Sequence, residues 1–234
     1  MKTTVIIAPH PDYAELAMGG TIAKMIAAGW DVTIVDLTNG EPTPFGSEQV
    51  RAQETNKASR ILGIEKRLCL EMPNRRLEAT LENRRRLAEA IRLYKPEMLF
   101  GPVLPEVHPD HIAAGELVAA ARFEAKYHKT DMAAEAHWTA KLYSYYSTHR
   151  PTCDNPNPAL LVDVSDYWEK KIAAVRAYQS QLRAARELNK VSLIDKIEAT
   201  CRYFGASVGV KYAEPFAVDK PICVKNVEFS AFLT

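Results

Sequence analysis

No apolar run in this chain approaches the roughly 20 residues needed to cross a bilayer, so no membrane-spanning helix is expected. The N-terminal apolar stretch, Val5 to Ala8, runs straight into Pro9-His10-Pro11-Asp12, too short and too polar for a signal-peptide core. A cytoplasmic protein is the expectation. A dominant charge sign is also missing. Thirty Lys and Arg face 29 Asp and Glu, for a net charge of +1, which gives no electrostatic reason to expect nucleic acid or an anionic membrane as partner. Cysteine is scarce: Cys69, Cys153, Cys201 and Cys223 stand alone, with no C-x-x-C pair. That excludes a disulfide framework and a Cys-rich zinc site, and leaves buried structural thiols. Gly19-Gly20 has no phosphate-loop lysine after it, so close packing explains it better than nucleotide binding. What remains is ordinary soluble composition, 47% hydrophobic and 25% charged over 234 residues, enough for one sizeable core.

Strands and helices alternate over the first half. Thr4–Ala8 is a short β-branched run, followed by apolar residues at helical spacing (Leu16, Ile22, Ile26) up to Gly29. Val32–Leu37 predicts a second strand. Ser47 is placed to cap a helix that ends at Gly63. Arg67–Glu71 predicts a third strand, Thr80 a cap for a helix to Tyr94, Met98–Phe100 a fourth strand, and Asp110–Lys126 a fourth helix. Beyond these, Lys141–Ser147 and Leu160–Val164 read as strands. One helix is expected from Ser165 to about Arg186 and a last one over Ser192–Ser207. This order implies an α/β fold, a Rossmann-like, mostly parallel sheet with helices on both faces. With no linker or repeat in sight, residues 1–234 are expected to form a single domain.

Ligands of such sheets bind beyond the carboxyl ends of the strands, and the unusual residues fall there. His10-Pro11-Asp12-Tyr13-Ala14-Glu15 follows the first strand, and His108-Pro109-Asp110-His111 follows the fourth. Imidazoles and carboxylates brought to one rim are the donor types that bind zinc and leave a position open for water. His108 and His111, three apart at a helix start, can face the same side. Blander readings compete, since a strand-end histidine is often only hydrogen-bonded and His-Pro-Asp can be a turn with an Asp cap. Other features are plainer: Arg84-Arg85-Arg86 and Lys170-Lys171 read as solvated helix faces, and Tyr143, Tyr145, Tyr146 and Trp138 as an ordinary half-buried strand region rather than a sugar pocket.

Ala8-Pro9-His10-Pro11-Asp12 with Ala14-Glu15-Leu16 and Gly19-Gly20-Thr21 resembles the N-terminal signature of the LmbE/PIG-L zinc deacetylases, and His108-Pro109-Asp110-His111 resembles their second signature. Asp36-Leu37-Thr38, Gly40-Glu41, Arg51-x-x-Glu54, Ala58 to Gly63 and Gly209 to Phe216 extend the likeness over nearly the whole chain. It is closest to bacterial members acting on N-acetylglucosaminyl conjugates, including the bacillithiol-pathway type. The resemblance implies an LmbE-like fold and a zinc-dependent amide hydrolase that removes an N-acetyl group from an amino-sugar conjugate. His10 and His111 would be metal ligands and Asp12 the general base. His108, partnered by Asp110, would stabilise the oxyanion or protonate the leaving amine. Arg51 and Glu54 would organise the rim for substrate.

The departures cluster at the same rim. The family's first motif has two consecutive aspartates, the second a metal ligand, where this chain has Asp12 and then Tyr13. Glu106-Val107 stands where Asp-Arg is usual, Asn74 where an Asp is common, and Leu193 about where some relatives place a tyrosine. These changes point to altered metal chemistry, a different substrate, or a descendant that binds a sugar-like ligand without metal or catalysis. On the simplest view Tyr13 is a lost ligand, and Tyr13→Asp should tighten zinc binding. A homo-oligomer is also expected, from the tyrosine-rich strand, the apolar Phe229, Phe232 and Leu233, and the resemblance itself.

Overall fold

In a computed structural model, residues 2–147, 157–190 and 192–221 are described. Cys153, Cys223, Phe229, Phe232 and Leu233 lie outside them. The elements run β1 (Thr3–Ala8), α1 (Tyr13–Ala27), β2 (Asp31–Thr38), α2 (Glu48–Leu62), β3 (Lys66–Met72), α3 (Leu81–Tyr94), β4 (Met98–Pro102) and α4 (Pro109–Glu124). The second half adds β5 (Lys141–Tyr145), β6 (Leu160–Asp163), α5 (Trp168–Val175), α6 (Gln179–Asn189), α7 (Leu193–Ser207) and β7 (Ala213–Val218). Seven strands form one sheet in the order β3-β2-β1-β4-β5-β7-β6, parallel except for β7, which pairs antiparallel with β5 and β6.

The buried strands alternate between two cores. Ile6, Ala8 and Ile34 meet α1 and α2 on one face, while Val5, Ile7, Val35 and Leu37 meet α3 and α4 on the other. The expected caps form: Ser47 Oγ accepts from Val50 N–H and Thr80 Oγ1 from Asn83 N–H, and Gly63 closes α2 at φ 89°. Among the described residues, no helix is long and apolar enough to cross a membrane.

Four expectations change. The helix from Ser165 to Arg186 is broken into a short 3-10 turn (Ser165–Tyr167), α5 and α6. The interruption at 176–178 carries no Gly or Pro; there the Tyr178 hydroxyl donates to Glu15 Oε1 at 2.8 Å. The strand β7 was not foreseen, because Pro215 interrupts its apolar pattern. Of the two adjacent lysines only Lys170 is exposed: Lys171 is fully buried, its Nζ 2.5 Å from Glu214 Oε1. Arg84, Arg85 and Arg86 are half-buried rather than solvated, and Arg84 is tied to Glu124, Arg85 to Asp131 and Arg86 to the Leu70 carbonyl. Cys69 is half-buried and Cys201 buried; burial pushes their thiols up to about 12 and about 11.

The helix α1 has its own break, at Met18 (φ −137°, ψ 25°). The turn after it exposes amide N–H groups as a second helix start, and Glu214 takes them: Gly20 N–H at 3.0 Å and Thr21 N–H at 2.7 Å. Gly20 is required sterically, since a Cβ there would lie 2.7 Å from Val164 Cβ.

Candidate metal centre

Chain order runs from β1 to one side of the sheet (β2, β3) and from β4 to the other (β5), so the crevice between the ends of β1 and β4 is a topological switch point. The loop after β1 carries His10 and Asp12; the loop after β4 carries Glu106 and His108 and opens α4, where Pro109 and Asp110 stand in the first turn and His111 follows. His10, His108 and His111 each offer a ligand atom within 4.8 Å of the others. The His108 and His111 rings stack with centroids 4.5 Å apart.

Hydrogen bonds sort the three imidazoles by tautomer. The Thr38 hydroxyl donates to Pro9 O at 3.0 Å, so its oxygen accepts from His10 Nδ1–H at 2.9 Å and His10 Nε2 keeps its lone pair. His111 Nδ1–H donates to the Glu106 carboxylate at 3.1 Å, again freeing Nε2. His108 is reversed. Its Nδ1 caps α4 by accepting Asp110 N–H at 3.1 Å, so its proton sits on Nε2. Burial, and then the neighbouring His111 and His108, hold the His10 imidazolium well below the usual histidine range, which keeps it neutral and ligand-competent.

The partnership of His108 and Asp110 therefore runs through a backbone N–H. The Asp110 carboxylate accepts from Arg75 N–H at 2.7 Å and Leu77 N–H at 3.2 Å, and its Oδ2 lies 3.5 Å from His10 Nε2. Two acceptors face each other there without a shared proton, an arrangement that repels unless a cation joins them. The donor set thus fits a divalent metal: two imidazole lone pairs with a buried carboxylate beside one of them.

Asp12 occupies a conformation that few non-glycine residues adopt, φ 110° at the start of α1. Burial lifts its carboxyl to about 7 although Arg51 Nη1 sits 3.2 Å away and pulls the other way. Arg51 is itself buried, donating to Pro11 O at 2.7 Å and Glu41 at 3.2 Å. Glu54 does not reach the cavity; both of its oxygens accept from Ser180, one from N–H and one from the hydroxyl, each at 2.7 Å. Through these bonds Glu54 anchors the start of α6.

Tyr13, buried at 2% exposure, lays its ring 4.1 Å from that of His111 and donates its hydroxyl to Glu106 Oε2 at 2.6 Å. Burial would raise the Glu106 carboxyl, but hydrogen bonds from His111, Tyr13 and Val107 N–H bring it down to about 2. Asn74 Oδ1 lies 3.4 Å from Thr38 Oγ1, whose proton goes to Pro9 O, and Leu193 packs at the start of α7. The cavity beside the cluster holds about 550 Å³ and is lined by His10, Asp12, Gly40, Pro42, Thr43, Pro44, Arg51, Asn74, Arg75, His108 and Gln181. The tyrosines of β5 and Trp138 are not among its walls. Of the walls, Gly40 entered the sequence reading only through the family likeness, Pro42, Thr43, Pro44 and Arg75 carry no signal beyond their place in rim loops, and Gln181 carries none.

Residues 5–122 match the family described as PIG-L, GlcNAc-PI de-N-acetylase, and the chain belongs to that family. It is 31% identical over 230 residues to the diacetylchitobiose deacetylase of Thermococcus kodakarensis, covering 92% of this chain and 82% of that one. A conserved protein of Thermus thermophilus superposes with a TM-score of 0.85 at 36% identity, over 96% of this chain and 97% of its own. The N,N'-diacetylchitobiose deacetylase of Pyrococcus horikoshii, in complex with an inhibitor, gives a TM-score of 0.79 at 26% identity, over 93% of this chain and 83% of that one.

Proposed function

We propose that this protein is a metal-dependent deacetylase that removes the acetyl group from an N-acetylglucosaminyl conjugate. The observation that carries the reading is the tautomer-sorted histidine cluster, opening beside Asp12 into a cavity of about 550 Å³. Membership of the family and the likeness to two diacetylchitobiose deacetylases support it. His10 and His111 would hold the ion through Nε2, with Asp110 alongside, and zinc would suit such donors. When bound, the ion supplies a Lewis acid that polarises the amide carbonyl and activates water.

The chain's own groups do the rest. Asp12, steadied by Arg51, accepts the proton of the attacking water. Nε2–H of His108 donates a hydrogen bond to the oxyanion that develops on the carbonyl oxygen, and the proton that Asp12 took from water passes to the departing amine. Asp110 locks His108 through its backbone N–H and the β3–α3 loop through its carboxylate, so the donor and the cavity wall share one support.

Zinc-loaded protein should release acetate from N-acetylglucosaminyl conjugates, and chelated protein should not. Asp12→Ala should slow release by about 10²–10⁴-fold. An unchanged rate would remove Asp12 from its role. Stoichiometric zinc binding without acetate release, together with tight binding of the conjugate, would favour a sugar-binding descendant instead.

A further inference from the structure

Two of the departures at the rim, Tyr13 and Glu106, touch each other. They come from the start of α1 and the loop after β4, 93 positions apart, yet the Tyr13 hydroxyl donates to Glu106 Oε2 at 2.6 Å, and the same oxygen receives His111 Nδ1–H at 3.1 Å. The other carboxylate oxygen accepts from Val107 N–H at 2.7 Å. The Glu106 side chain is 4% exposed, so three donors hold a charged group out of solvent against one imidazole. The Tyr13 ring completes the grip, packed at 4.1 Å and 49° against the His111 ring.

We propose that Tyr13 and Glu106 form a positioning pair acting through His111, which restores by a second route the carboxylate charge that an aspartate at position 13 would bring. The proposal rests on the metal-holding reading of His10 and His111. A carboxylate on Nδ1–H fixes which nitrogen of the ring is bare, fixes the ring's orientation and makes the bare nitrogen a stronger donor. Charge neutralisation reaches the ion through the imidazole rather than by a direct bond. The phenol cannot be exchanged for an acid in isolation. Tyr13→Asp would remove the donor that steadies Glu106, and would set a second anion in the space the ring vacates beside it.

This reverses the simplest expectation from the sequence, in which Tyr13→Asp tightens zinc binding. Zinc affinity, measured by competition with a chromophoric chelator, should fall about 10–100-fold in Glu106→Gln, the range typical when such a partner of a ligating histidine is lost. It should fall several-fold in Tyr13→Phe, with no further fall when Tyr13→Phe is added to Glu106→Gln, because the two act as one unit. Tyr13→Asp should bind zinc more weakly than the parent.

In metal-free protein, ¹⁵N NMR should find the His111 proton on Nδ1 in the parent and shared between both nitrogens in Glu106→Ala. The thermal midpoint of each metal-free variant checks that the fold is kept, and Glu106→Gln is isosteric should the alanine variant unfold. Parent-like zinc affinity in Glu106→Gln, additive losses, or tighter binding by Tyr13→Asp would each overturn the pair. If the parent binds no zinc, the metal-holding reading fails on its own, and the His111 tautomer still decides whether Glu106 controls that ring.

Discussion

Two clusters of buried charge lie on either side of α1, and they are built to opposite ends. Beneath the broken helix, Glu214 accepts Gly20 N–H, Thr21 N–H, the Thr21 hydroxyl and Lys171 Nζ, all at 3.0 Å or less, and Lys171 and Glu214 have no exposed side-chain surface. Each charge there is met by its opposite or by a helix start, and nothing is left over for a ligand. At the other end of the helix, the rim keeps two imidazole nitrogens bare, sets one of them 3.5 Å from a carboxylate, and holds Asp12 at φ 110°. The closed cluster secures the backbone from which Tyr13 and the N-terminus of α1 project. The open cluster leaves its valences to the cavity. Burial of charge, alone, therefore says nothing about function; completeness of pairing separates the two cases.

The comparison breaks most visibly at Lys171. Lys171→Ala removes the one cation partner of Glu214 among the described residues and leaves that carboxylate buried, a change that typically costs about 3–5 kcal/mol. Denaturant unfolding should show this loss, while zinc affinity in the variant that still folds should remain near the parent's. Lys171→Met combined with Glu214→Gln should recover most of the loss, since replacing both charges leaves neither stranded. A drop in zinc affinity matching that of Glu106→Gln would mean that the two clusters are coupled through α1 and are not separate devices.

A smaller effect is expected at Gly20. A methyl group there meets Val164 Cβ at 2.7 Å and both Val164 methyl carbons at 2.9–3.1 Å. Since the valine has no long side chain to swing away, Gly20→Ala should cost about 1–3 kcal/mol in urea unfolding. Gly20→Ala with Val164→Ala should regain part of it. If Gly20→Ala is neutral, the break at Met18 absorbs the strain and the approach of α1 to β6 is looser than its geometry implies.

Legibility followed the reach of each interaction along the chain. From β1 to α4, the first two strands are β-branched runs, β3 and β4 are short apolar stretches between helix signals, helices begin at Ser47 and Thr80 and one closes at Gly63, so local signals sufficed. The rim followed from them, because a parallel α/β sheet sends both His-Pro-Asp segments to one end. The second half obeys distant partners. The break between α5 and α6 serves Tyr178, whose hydroxyl finds Glu15 163 residues away, and the burial of Lys171 depends on Glu214, 43 residues on. Glu54 kept its place in the family pattern, yet its work is done for Ser180, 126 residues later. Glu106 registered only as a departure; its meaning needed the position of Tyr13.

The smallest effect has the most informative sign. Asp12→Asn keeps the size of the side chain, and asparagine tolerates positive φ at least as well as aspartate. It removes a carboxyl that burial has lifted to about 7, so the fold is relieved of a charge it holds unwillingly. Arg51 loses one partner but retains Pro11 O at 2.7 Å and Glu41 at 3.2 Å, so it is not stranded. Metal-free Asp12→Asn should therefore be more stable than the parent by about 1 kcal/mol, the size of gain seen when a strained functional residue is relaxed. In a chain of this length that is a rise of about 2–4 °C in Tm. Acetate release should fall by about 10²–10⁴-fold in the same protein, because the amide cannot take the water's proton. Opposite movements of stability and activity are what an open cluster requires, whereas Lys171→Ala should lower stability and leave zinc affinity alone. If Asp12→Asn proves destabilising in metal-free protein, its carboxylate is a structural partner of Arg51 first, and the contrast between the two clusters fails at its central residue.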